Sequence, residues 1–163
     1  MLTKKRRSQK QEKSVSKDFN ARPTTASGAK WFQKGDVRNS KFLIECKTTA
    51  NDSYRVTAKV WEKIKEEAIR DSLRIPLLVV DLKDTYRYVV FNPNDFEAPL
   101  PPYECSGEGE NKSYLMKYGF LDWILAEEIY AYAKLFKICG KHENILAYMR
   151  FDDFSEYYRK ELE

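Results

Sequence analysis

The apolar and polar positions of Phe42-Leu43-Ile44-Glu45-Cys46-Lys47 read as a β-strand. Successive side chains of a β-strand point to opposite faces. Phe42, Ile44 and Cys46 therefore make an apolar face suited to a core, and Leu43, Glu45 and Lys47 share the other. Gly35-Asp36-Val37-Arg38 reads as the partner strand of a hairpin that turns at Asn39-Ser40. A two-residue loop pairs Arg38 with Lys41 and Asp36 with Leu43. Asp36 then projects beside Glu45 and Lys47, as a diagonal neighbour of Glu45. A one-residue slip would send it to the opposite face.

Downstream, Val56, Val60, Ile64 and Ala68 recur every fourth residue, with Trp61 and Ile69 beside them. The pattern predicts a helix from about Tyr54 to Ser72, capped by Asp52-Ser53, with Lys59, Lys63 and Lys65 facing outward. Ile75-Pro76 ends it, and Leu77-Leu78-Val79-Val80 is a short strand buried on both faces. Asp84-Thr85 turns the chain into a further strand, Tyr86 to Phe91. Asn92 to Lys112 is loop-like and stiffened by Pro99, Pro101 and Pro102. A helical stripe follows in Leu121, Leu125, Ile129, Tyr132 and Phe136. Ile145 to Phe151 is either a strand or the start of a last helix ending near Glu161. The expected architecture is α/β: a mixed β-sheet flanked by helices, with an added, mainly helical C-terminal region.

A chain of 163 residues is one domain by length. Its net charge of +4 conceals an asymmetry: residues 1 to 17 hold Lys4, Lys5, Arg6, Arg7, Lys10, Lys13 and Lys17 against a single Glu. The remainder is nearly neutral. A basic head of this kind suits a polyanion, because it gains affinity by displacing counterions from phosphates. A solubilising tail is the alternative reading. Arg22, Lys30 and Lys34 flank the Asp36 segment and extend the basic track. Three widely spaced cysteines, with no CxxC, and one histidine, His142, argue against a structural zinc site or an iron–sulfur cluster. An odd cysteine count points to a reducing compartment. No run approaches the roughly 20 apolar residues of a membrane span, and no signal-peptide core follows the basic head. A cytoplasmic protein with no membrane partner is expected.

The chemistry follows from the strand. Magnesium takes oxygen ligands, commonly one or two carboxylates plus a substrate phosphate. Asp36 and Glu45 can supply the carboxylates. Lys47, two residues along, can hold an attacking water or offset charge on a phosphate.

Gly35-Asp36 followed by Glu45-Cys46-Lys47 resembles the PD-(D/E)XK nuclease superfamily, with Gly35 where many members carry proline. Ser27-Gly28-Ala29 is similar to the Ser-Gly-Ala segment of archaeal and phage Holliday junction resolvases. Glu12 falls where those enzymes carry an acidic residue on their first helix. Thr48-Thr49, Trp61 to Ile64 with Glu67-Ala68, and Pro76 to Val80 continue the similarity, which covers roughly residues 10 to 91. Met149 to Phe154 loosely resembles the resolvases' final strand and helix, which would make residues 92 to 143 an insertion.

The resemblance implies a restriction-endonuclease-like fold. It divides the chain into a basic arm with the first helix (1–17), a nuclease core (18–91) and a C-terminal part of the same domain (92–163). It implies Asp36, Glu45 and Glu12 as ligands of Mg2+ or Mn2+, Lys47 as the catalytic lysine, and Ser27 near the scissile phosphate. Glu12 shares a helical face with Val15 and Phe19; read without the resemblance, it is a solvated glutamate in a basic head. The expected function is hydrolysis of phosphodiesters in branched or four-way DNA by a homodimer. A nuclease for another DNA substrate and a non-catalytic DNA-binding module are the alternatives. The aromatics of the C-terminal half suit core packing or a dimer contact before base stacking.

Overall fold

The computed structural model describes residues 3–24, 35–106, 111–119 and 131–162. The chain opens with helix α1 (Lys4–Asp18), followed by strands β1 (Arg22–Pro23), β2 (Val37–Arg38), β3 (Phe42–Thr48) and β4 (Ser53–Thr57). Helix α2 (Ala58–Arg70) leads to β5 (Ile75–Leu82), β6 (Tyr86–Phe91), β7 (Tyr103–Cys105) and β8 (Ser113–Lys117). Strands β9 (Ala133–Cys139) and β10 (Glu143–Arg150) precede helices α3 (Phe151–Tyr157) and α4 (Arg159–Leu162). Eight of these strands form one mixed sheet in the order β1-β2-β3-β5-β6-β10-β9-β7, and β4 pairs with β8 in a separate ribbon. The α/β class is as expected. No helix among the described residues is long and apolar enough to cross a membrane.

Strand β5 explains the layering. It lies between β3, which it pairs in parallel, and β6, which it pairs antiparallel. Its residues alternate strictly between two cores. Leu77 and Val79 join Phe42, Ile44, Cys46, Val89 and Phe91 beneath α1 and α3. Leu78, Val80 and Leu82 join Trp61, Ile64, Val56 and Met116 beneath α2 and the ribbon. A strand buried on both faces has no polar side, which is why its sequence reads as one apolar run. Cys46 is buried, as its place on the apolar face predicts, and burial pushes its thiol well up from the usual value. His142 lies exposed in the turn between β9 and β10.

Three expectations are corrected. The helix predicted over 54–72 begins only at Ala58, because Ser53–Thr57 pairs with Ser113–Lys117 as β4. Its cap is Thr57, whose hydroxyl accepts the Val60 N–H at 3.2 Å, not Asp52-Ser53. Second, the described part of the helix predicted over 121–136 is extended: Ala133 to Cys139 is β9, while residues 121–130 lie outside the described set. Third, the described C-terminal region holds more strand than helix, its helical parts being a short 3-10 turn at Pro93–Asp95, α3 and α4. Of the two readings of Ile145 to Phe151, the strand holds through Arg150, and α3 starts at Phe151.

The cap correction has a measurable outcome. Thr57→Ala is expected to lower stability by about 1 kcal/mol, or about 2–4 °C in Tm for a chain of this length. Ser53→Ala should change it little. A urea melt of both variants compares the two caps directly.

Candidate active site

The polar face of β3 is set by its hairpin with β2, and here the register differs from the expected one. Val37 pairs with Ile44 and Arg38 with Leu43. Asn39 is the reason. Its side-chain oxygen accepts the N–H of Lys41 at 2.9 Å and of Phe42 at 2.7 Å, and its own N–H donates to the Phe42 carbonyl at 3.1 Å. Arg38 therefore pairs with Leu43, four residues beyond the turn's start, in place of Lys41. The pairing moves by two residues, so the pleat parity survives. Asp36 lies one residue before the paired stretch, against the Ile44 to Cys46 backbone of β3. The Asp36 N–H donates to the Ile44 carbonyl at 3.0 Å, and its carboxylate Oδ2 accepts the Cys46 N–H at 2.8 Å. Gly35, just before it, has φ +72°, and a Cβ there would stand 2.8 Å from Leu43 Cδ1. Both facts favour glycine at that position.

Lys47 Nζ donates to Glu45 Oε1 at 2.6 Å. Helix α1 brings the fourth group. Val15 and Phe19 bury its apolar side against Val37, Phe42, Ile44 and Cys46. Gln11, only 4% exposed, donates its side-chain amide to the carbonyls of Lys47 at 2.8 Å and Val79 at 3.4 Å. That clamp holds the next residue, Glu12, within the field of Asp36, Glu45 and Lys47.

The electrostatics are those of crowded like charges. Burial first, and then Asp36 and Glu45, raise the Glu12 carboxyl above its ordinary value, against the pull of Lys47. Burial and then Glu45 raise Asp36, partly offset by the Cys46 N–H, Lys47 and Lys63. Burial works to lower Lys47, but the Glu45 hydrogen bond and the charges of Glu45 and Asp36 outweigh it and hold the ammonium above its usual range. Lys47 is thus firmly cationic. Tyr54 of β4 also lies within this field, its phenol raised by burial and by Glu45 against the charge of Lys47.

Glu12, Asp36, Glu45 and Lys47 are therefore brought together. Among the described residues, no three His, Cys, Asp or Glu side chains converge tightly enough, as they stand, to hold a metal ion between them. The donor set is nevertheless of one chemical kind. Three carboxylates with no histidine or thiol ligand suit a hard cation such as Mg2+ or Mn2+. Asp36 Oδ1 and Glu45 Oε2 have no hydrogen-bond partner among the described residues.

The remaining expected site residues lie further out. Ser27, Lys30 and Lys34 fall outside the described residues. Arg22 is exposed on β1, opposite Arg38. Lys4, Lys5 and Arg6 are exposed on the first turn of α1, which makes the basic head helical from Lys4 onward. Arg7 differs from its neighbours: it pairs with Asp84 at 2.6 Å, and Asp84 also accepts the Thr48 hydroxyl at 2.8 Å.

Sequence reasoning missed Gln11 and Tyr54. Gln11 stands four residues before Val15, a polar residue on the buried stripe of α1, and that mismatch was its signal. Tyr54 carried none once its strand was read as helix.

No family model matches the chain, and no curated protein matches it in sequence.

Proposed function

We propose that the protein is a metal-dependent endodeoxyribonuclease of the PD-(D/E)XK type, acting on branched DNA in the manner of a Holliday junction resolvase. The observation that carries the reading is that Glu12 of α1 and Asp36, just before β2, lie within the electrostatic field of the Glu45–Lys47 pair of β3. A scaffold gains nothing from carboxylates placed so that burial and like charge raise Glu12 and Asp36, and such repulsion is what a bound cation relieves. The order Asp36, Glu45-x-Lys47 adds the superfamily's spacing. Gly35 departs from the common proline, and its φ of +72° is one proline cannot adopt.

In this reading Asp36, Glu45 and Glu12 hold Mg2+ or Mn2+. The ion supplies polarisation of the phosphoryl oxygen and acidification of a water. Asp36, pinned by the Cys46 N–H, fixes where the carboxylates meet the DNA. Glu45 orients Lys47 through their hydrogen bond. Lys47, held protonated, positions the attacking water and offsets charge that grows on the phosphate. Gln11 is a positioning residue, since it acts through the helix that carries Glu12. Lys4, Lys5 and Arg6 contact DNA phosphates, and Arg22, Lys30 and Lys34 extend that track. Two symmetric cuts need two sites, so the working unit is a homodimer, and the compartment is the cytoplasm.

The test is cleavage of a labelled four-way junction and a matched duplex, with Mg2+ or with EDTA. Paired symmetric cuts in the junction alone, abolished by EDTA, are the expected result. Equal cutting of both substrates would keep the nuclease and remove the branch preference. Binding without cutting under any metal would leave a DNA-binding module.

A further inference from the structure

The sheet face that carries Glu45 and Lys47 ends, at its rim, in an aromatic pair. Tyr86 opens β6 opposite Leu82 and is 42% exposed. Its ring centre lies 4.1 Å from that of Tyr118, at a tilt of 38°. Tyr118 is anchored just beyond β8, where its N–H donates to the Asp52 carbonyl at 2.7 Å. Lys83 Nζ stands 4.2 Å from the centre of the Tyr118 ring, so a cation borders the pair. Lys83 and Asp84 both have positive φ, +51° and +54°, in the tight turn that aims β6 back along β5.

The strand register locates this pair relative to the proposed site. Lys47 pairs with Val80, Val80 with Tyr88, and Leu82 with Tyr86. Val80, Leu82 and Tyr88 face one core, so Lys47 and Tyr86 project from the same side of the sheet. They are two strands apart and displaced by one pleat repeat, which puts their Cα atoms about 12 Å apart. The connection is stiff. The Asp84 N–H donates to the Thr49 carbonyl at 2.9 Å, and the Thr48 hydroxyl donates to Asp84 at 2.8 Å.

Most described aromatics of the C-terminal half are consumed by packing: Phe136, Tyr148, Phe154 and Tyr158 are all buried. Tyr86 is different: it is exposed at the rim of the face that carries Lys47, and it is backed by the half-buried Tyr118 ring with a lysine beside it. Rings in such a setting accept a nucleobase of any identity, because every base has a π-face. A base inside a duplex is already covered on both faces, so the platform selects a base that is unpaired.

We infer that Tyr86 and Tyr118, with Lys83 at their border, form a stacking platform for an unpaired nucleobase of a DNA strand, a few nucleotides from the bond presented to Lys47. The inference rests on the nuclease reading for the identity of the polymer. It adds the recognition element by which the site favours branched or frayed DNA over duplex.

The experiment is binding measured by fluorescence anisotropy in EDTA at one fixed salt concentration. The probes are labelled oligo-dT, a forked DNA with unpaired arms, and a matched duplex. Tyr86→Ala is expected to weaken oligo-dT and forked DNA about tenfold or more and to leave duplex binding within about twofold. Tyr86→Phe keeps the ring and should bind as wild type. Tyr86→Leu keeps apolar bulk without a π-face and should fail like the alanine variant, so it serves if that variant does not fold. Absence of oligo-dT binding by wild type, equal losses on duplex and forked DNA, or a phenylalanine variant as weak as alanine would each overturn the platform. Cleavage run in parallel with Mg2+ separates the two readings. Tyr86-dependent binding without cleavage by wild type would remove the nuclease and keep the platform. Intact cleavage with Tyr86→Ala binding forked DNA like wild type would remove the platform alone.

Discussion

Asp36→Asn is expected to lower junction cleavage by about a thousandfold or more, while raising the melting temperature of the metal-free protein. The two effects come from one cause. Burial and the neighbouring Glu45 raise the Asp36 carboxyl, so its ionised form is disfavoured in the folded chain relative to the unfolded one. A folded pKa above the unfolded value means that the native state holds its proton longer. Stability therefore falls as pH rises from the ordinary carboxylate value through the raised one, and the full penalty is present at neutral pH. Asparagine keeps an oxygen for the Cys46 N–H and carries no charge. The gain over wild type should shrink as the pH is lowered into the carboxylate range, which thermal melts at several pH values would show. Adding Mg2+ reverses the order. An ion at a hundredfold excess over its Kd stabilises the state that binds it by about 2.7 kcal/mol, an effect the wild type should gain and Asp36→Asn should lose. An asparagine variant that melts below wild type at neutral pH without metal would contradict the crowded-carboxylate account.

Arg87→Ala is expected to be the most destabilising single change at a polar side chain, by about 3–5 kcal/mol. The Arg87 guanidinium meets the buried Asp81 through Nε at 2.8 Å and a second nitrogen at 3.0 Å. Its third nitrogen donates to Asp18 at 2.6 Å and to the Ser14 hydroxyl at 3.1 Å on α1. Removing the cation leaves the Asp81 side chain buried and unpaired on a central strand, and it unfastens α1 from the sheet. A loss of about 6–20 °C in Tm corresponds to that free energy for a chain of this length. The double variant Arg87→Met with Asp81→Leu should recover much of the loss, since apolar replacement of both partners removes the stranded charge. A double variant as unstable as the single one would locate the effect in α1 docking rather than in Asp81. The Arg87 variant should also cleave more slowly, because α1 carries Glu12 into the site.

Glu45 and Lys47 were legible because they sit on a strand whose other face, Phe42, Ile44 and Cys46, is wholly apolar. The β3 pattern assigns Phe42, Ile44 and Cys46 to the core and Glu45 and Lys47 to the other face, and their burial agrees. The side on which Asp36 falls survived an error in the loop, because the true register differs by two residues and a pleat repeats every two. β5 was legible as an uninterrupted apolar run for the same reason that it is central.

The two strands misread as helix share one physical origin. A spacing of four is close to one helical turn and equals two strand repeats, so Val56 with Val60, or Tyr132 with Phe136, fits either element. Local pattern cannot separate the two. What decided β4 was the availability of Ser113–Lys117 as a partner, and what decided β9 was pairing with β10 on one edge and β7 on the other. Backbone hydrogen bonds to a remote segment are absent from any local window.

By itself, then, the amino-acid order determined the α/β class, the two-sided burial of β5 and the common face of Glu45 and Lys47, because each depends on periodicity within a few residues. Tertiary structure alone decided the rest. It set Asp36 against the Ile44 to Cys46 backbone of β3, and it carried Glu12 into the field of Asp36 and Glu45 on a helix clamped by Gln11. It tied up Arg7 with Asp84 while its neighbours stay exposed, and left Tyr86 and Tyr118 as a pair at the rim. Each of these depends on contacts between residues far apart in the chain, whose geometry exists only once the sheet has closed around its two cores.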